Sequence, residues 1–85
     1  MIYAKYIVNL KQAYKLVKLL DKFAEYIEHV RYRTDTLDGK LIAEVLVPTR
    51  AILGEFERRL KHVRDCDFSM VSIENNRDDF DGKQQ

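Results

Sequence analysis

A single cysteine, a single proline, three glycines and no tryptophan in 85 residues narrow the field before any motif is sought. One thiol cannot close an internal disulfide, so no covalent staple is available and an intracellular, cytoplasmic setting is expected. So little glycine and proline excludes a collagen-like or low-complexity chain. No long run of residues lacks a charge, which excludes a membrane-spanning helix and leaves no membrane among the expected partners. The apolar run between Lys5 and Lys11 is too short for a secretory leader. An excess of either charge is missing too: 15 Lys and Arg against 14 Asp and Glu leave +1, so the whole-chain charge names no partner. What is present, 46% apolar and 34% charged residues, is the make-up of one small globular domain. A chain of this size buries roughly 60 to 65% of its unfolded surface and is stable by roughly 4 to 13 kcal/mol, a margin that pairing with a second copy widens.

The hydrophobic period changes four times along the chain. Ile2, Ala4, Tyr6 and Val8 alternate with Tyr3, Lys5 and Ile7, the period of a strand over residues 1–9. From Leu10 the apolar residues recur at three and four: Leu10, Ala13, Tyr14, Val17, Leu20, Ala24 and Ile27. That spacing predicts an amphipathic helix ending near Glu25. Residues 26–34 alternate again and predict a second strand. Asp38-Gly39 then signals a hairpin, because a type I′ turn needs positive φ at both central residues. Residues 40–47 form the third strand, which Pro48 stops, and Thr49 is placed to accept from a free amide of the next helix. Leu53, Phe56, Leu60 and Val63, joined by Ile52, give that helix its apolar seam to about Asp65, with Arg50, Glu57, Lys61 and Arg64 roughly opposite. Residues 68–74, FSMVSIE, form the fourth strand. Residues 1–76 are expected to be the folded domain and 77–85 a polar, mobile tail with Phe80 as its only large hydrophobe.

The order β-α-β-β-α-β is that of a ferredoxin-like α+β sandwich, a four-stranded antiparallel sheet with two helices on one face and the first and third strands at its centre. Glu44 selects Leu41, Ala43, Val45 and Val47 as the helix-facing set of strand three, leaving Ile42, Glu44 and Leu46 outward. On strand four neither alternating set is clearly polar. The open face then carries Ile7, Ile42, Leu46, Val71 and Ile73, an apolar patch that a soluble monomer seldom exposes. A homodimer joined sheet to sheet covers it; the alternative cover is the tail, with Phe80 as its plug.

Basic residues gather on the helices. Lys11, Lys15, Lys18 and Lys22 step by four, three and four, a stripe about 17 Å long. The second helix adds Arg58, Arg59, Lys61 and Arg64, and the second strand Arg31 and Arg33. These ten side chains predict a sequence-independent surface for RNA or another polyanion; the plain alternative is a solvated helix face. Tyr3, Lys5, His29 and Tyr32 offer further aromatic and cationic groups for unpaired bases. RNA-recognition-motif domains share the topology, but their third-strand signature needs two aromatic residues, and Lys40-Leu41-Ile42-Ala43-Glu44-Val45 has none. Stacking of bases on the sheet centre is therefore not expected.

Other chemistries find little support. His62 and Cys66 share one helix face, yet a zinc site needs three or four ligands, so no metal is assigned. The tail run Asp78, Asp79, Phe80, Asp81, Gly82 ends before a calcium loop is complete. Spacing suggests no Ser, His and acid cluster and no glycine-rich phosphate loop, so no catalytic residue and no cofactor is assigned. Neither the phosphate-cradling loop of acylphosphatases nor the paired cysteines of metal-carrying ferredoxin-like domains is present. ACT-type sensing domains have a glycine-containing turn where this chain has Asn9, Leu10, Lys11. The expected function is a small non-enzymatic, dimeric binder of RNA or polyanions. The alternative is a protein-interaction module that inhibits or adapts a partner enzyme, since in size and plainness the chain resembles small accessory proteins of bacterial viruses, including counter-defence proteins.

Overall fold

The computed structural model describes residues 1–74, with side chains through Met70; the expected tail lies outside the described residues. The elements are β1 (Ile2–Asn9), a 3-10 turn (Leu10–Gln12), α1 (Ala13–Lys22), a second 3-10 turn (Ala24–Tyr26), β2 (His29–Asp35), β3 (Lys40–Val47), α2 (Arg50–Lys61) and β4 (Phe68–Glu74). The sheet order is β2-β3-β1-β4 with every pair antiparallel, so the ferredoxin-like plan holds and β1 and β3 are central.

Ala4, Tyr6 and Val8 of β1 and Leu41, Ala43, Val45 and Val47 of β3 pack against both helices. The helices answer with Leu16, Leu19, Leu20 and Phe23 before the crossover and with Leu53, Phe56 and Leu60 after it. Rings knit this core: Phe56 stands edge-on to Tyr6 and to Phe23, with centroids 5.4 Å apart in each case. Such contacts are worth about 0.5 to 1.5 kcal/mol each beyond the area they bury.

Several expectations need correction. Helix α1 is rolled away from the Leu10–Tyr14–Ala24 line: Tyr14 is 62% exposed and Leu10 38%, while Leu16, Leu19 and Phe23 turn inward. The leucines and Phe23 carry more apolar area than Tyr14 and Ala24, so burying them wins. Tyr26 belongs to a 3-10 turn and β2 begins only at His29. The hairpin is not a two-residue type I′ turn. Residues 36–39 form a four-residue loop in which Gly39 alone takes positive φ (65°), and the Asp38 amide donates to Asp35 Oδ1 at 3.2 Å. The Gly39 carbonyl accepts from the Leu10 amide at 2.8 Å, pinning the loop to the end of β1. Thr49 makes no side-chain cap; Asn9, which the periodicity does not single out, does, accepting from the Lys11 amide at 3.0 Å. Helix α2 ends at Lys61 rather than near Asp65, and Asp65 takes a left-handed φ of 56°.

Strand β4 explains why its faces cannot be told apart from sequence. Lys5 pairs with Ser72 but Tyr6 with Met70, so Val71 is the extra residue of a β-bulge. No single alternation runs through a strand whose register slips by one.

Candidate anion-binding site

Three of the helix cations, Lys15, Arg58 and Arg59, are committed within the chain. The Lys15 ammonium donates to the Arg64 carbonyl at 2.5 Å and to that of Asp65 at 3.3 Å, closing the loop that follows α2. Arg58 and Arg59 converge on one carboxylate: Arg58 Nη2 lies 2.5 Å and Arg59 Nε 3.1 Å from Glu55 Oε2. The hydrogen bonds from Arg58 and then Arg59 hold the Glu55 carboxyl below its ordinary range. The Arg59 guanidinium also lies over the Phe23 ring, 5.6 Å from its centroid. Lys18, Lys22, Lys61 and Arg64 are exposed, whereas Lys11 sits in the 3-10 turn, so only Lys15, Lys18 and Lys22 share the α-helical spacing. The expected four-lysine stripe is thus shorter and partly occupied.

The open face is different. Pairing sets Lys5 beside Glu44 and Glu44 beside Arg31, with Ile7, Ile42 and Arg33 two residues along the same three strands. At about 4.8 Å between strands and 6.8 Å along them, Lys5, Arg31 and Arg33 surround one patch. A concavity of about 550 Å³ opens there, lined by Lys5, Arg31, Tyr32, Arg33 and Glu44. Its one carboxylate is spoken for: Glu44 is 6% exposed, its Oε2 accepts from the Tyr3 hydroxyl at 2.6 Å and its Oε1 from Arg31 Nε at 2.9 Å. Burial alone would raise the Glu44 pKa, but the hydrogen bonds from Arg31 and Tyr3 and the charges of Arg31 and Arg33 bring it below the usual value. Burial, then the charge of Asp21, pushes the Tyr32 phenol up.

Two sequence expectations bear on this face. The charge of Glu44 predicts an outward side chain; it does face away from the helices, and it is buried there, since Tyr3 and Arg31 replace the water it gives up. The signal was a lone acid in an otherwise apolar strand, opposite Lys5 and diagonal to a tyrosine. Leu46, expected in an exposed dimer patch, is 8% exposed and packs with Tyr3 within the chain. Ile7 and Ile42 remain half-buried. Val71 sits at the bulge and Ile73 pairs with Ala4 through the backbone; their side chains lie outside the described residues.

Elsewhere, a second concavity of about 430 Å³ between the helices is lined by Lys22, Phe23, Tyr26, Ala51, Ile52, Glu55 and Arg59. His62 Nδ1 contacts the Arg58 carbonyl at 2.8 Å, and burial pushes the Cys66 thiol up. Among the described residues no three His, Cys, Asp or Glu side chains converge as metal ligands, and no helix is long and apolar enough to cross a membrane.

No protein-family model and no curated protein matches the chain. Solved structures do. An uncharacterized protein from Thermotoga maritima is similar with a TM-score of 0.62 at 19% identity, over 82% of this chain and 92% of that one. A protein described as PII-like and signaling from Thermus thermophilus gives 0.62 at 11% identity, over 88% and 84%. A formyltetrahydrofolate deformylase from Burkholderia mallei gives 0.53 at 11% identity over 85% of this chain but only 28% of its own. At these identities the likeness establishes the fold and nothing about ligands.

Proposed function

We propose that this protein is a non-enzymatic polyanion-binding module of the cytoplasm, with single-stranded RNA as its expected ligand. The observation that carries the reading is the concavity on the open sheet face, where Lys5, Arg31 and Arg33 meet one carboxylate already held by Tyr3 and Arg31. The helix arginines contribute less, because Glu55 takes both Arg58 and Arg59.

The test is binding of mixed-sequence single-stranded RNA, starting at about 50 mM salt. Each phosphate contact releases counterions, so log affinity should fall linearly with log salt, by roughly 0.7 per contact. Lys5→Glu with Arg33→Glu should weaken binding to all sequences and flatten the slope, whereas Arg58→Glu should change it little. No detectable binding at about 50 mM salt overturns the reading. A second reading, an adaptor or inhibitor of a partner protein as in virus-encoded counter-defence, is favoured by the helix-side concavity and by Tyr26, which stands half exposed on its rim. A tight protein partner recovered with no RNA binding would install it.

A further inference from the structure

Resting on the anion site above, the arrangement of β2 bears on how two copies meet. A dimer joined sheet to sheet would bury Lys5, Arg31 and Arg33 of both chains, and charge is costly to take out of water. Strand β2 offers another route. It is an outer strand of the sheet, and six of its seven residues are exposed. It holds no proline and carries Val30, Tyr32 and Thr34, residues that favour strands. An outer strand of this kind is a template for pairing with another chain unless charges guard it, and Arg31 and Arg33 are such guards.

The strand is close to complementary to itself. An antiparallel pair of β2 strands that uses all seven residues must centre on Tyr32. His29 then faces Asp35 of the second copy, Val30 faces Thr34, and Arg31 faces Arg33. Two of these rows favour contact. The Arg31 to Arg33 row, made twice by the symmetry, opposes it, since like charges directly across a ladder repel even though each Arg31 is also paired with Glu44 of its own chain. All four guanidinium groups lie on the open face, beside the concavity of about 550 Å³ that each chain carries. An anion laid across both concavities removes that repulsion and gains twice the positive charge.

We propose that two copies join edge to edge through β2, and that a polyanion on the paired arginines is what closes the contact. The site in one chain is then half of the working site. By linkage, the ligand favours the dimer and the dimer favours the ligand to the same extent.

The experiment measures mass by sedimentation equilibrium on the full chain at about 50 mM salt, with and without inorganic polyphosphate, alongside polyphosphate binding by calorimetry. The wild type should be a monomer alone and double in mass with polyphosphate. Arg33→Glu places a carboxylate opposite Arg31 of the second copy, so this variant should dimerise without polyphosphate. Val30→Lys adds a charge at the edge away from the anion face; it should keep the far-UV circular dichroism of the wild type, bind polyphosphate and stay monomeric. Polyphosphate that binds while the mass stays monomeric overturns this inference and leaves the anion reading standing. Absence of binding overturns the anion reading itself. A wild-type dimer without polyphosphate, or an Arg33→Glu variant that stays monomeric, also sinks the proposal.

Discussion

Tyr3 and Tyr6 stand three residues apart on one strand, both fully buried, and each gives its phenolic proton to a glutamate: Tyr3 to Glu44 at 2.6 Å, Tyr6 to Glu57 at 2.9 Å. One pair lies on the open face and the other on the helix face. The Tyr6 ring belongs to the main core, against Phe56 and Phe68, and its hydroxyl reaches the partly exposed Glu57 at the surface of α2. Burial, then the charge and hydrogen bond of Glu57, pushes this phenol far above its usual value. On the other side Tyr3 clusters with Leu46 among the described residues, and it is the carboxylate that is buried, with Arg31 as its second partner. The same two side chains thus serve opposite ends. At Tyr6 a polar group lets a large ring stay in the core; at Tyr3 a ring helps hold a charge in place beneath a cationic surface.

Truncation separates the two most sharply. Tyr6→Ala empties the centre of the core and should cost about 3 to 5 kcal/mol in urea unfolding. Tyr3→Ala should cost less, because Tyr3 lies outside the main core cluster; an equal or larger loss would break the contrast. Changing the acids reverses the order. Glu44→Gln leaves a buried amide where a carboxylate held two donors and should cost about 1 to 3 kcal/mol, whereas Glu57→Gln, which water can reach, should cost about 1 kcal/mol or less.

Acidification sharpens the same point. A carboxyl whose folded pKa lies below its unfolded value, about 4.3, contributes stability that is present above that value and lost as pH falls through the folded one. The wild type should therefore lose stability below about pH 4.5 more steeply than Glu44→Gln does, in paired urea titrations from pH 7 to pH 3. Parallel curves would mean that Glu44 is not held as described. The smallest contrast is between a cap that is made and one that is not. Asn9→Ala should cost about 0.5 to 1 kcal/mol, and Thr49→Ala no more than a few tenths.

Much of this molecule is written in its hydrophobic periods. Alternation in residues 2–9 and 40–47, and the spacing of Leu53, Phe56 and Leu60, are local patterns with one buried face each, so element type, strand order and the helix-facing set follow from them. Where two faces compete, the local pattern is silent. The roll of α1 depended on which side chains the sheet could accept, and β4 hid its register behind the bulge at Val71. Charges are the least legible. The sequence shows which residues are basic, but a surface cation's use is set by whether a partner lies within reach, and Lys15 with Arg64 and Arg31 with Glu44 are met only through the folded backbone. Tertiary structure alone decided that Lys15 is spent on the loop after α2 while Lys5, Arg31 and Arg33 gather on the sheet, because folding brings together residues that are far apart along the chain.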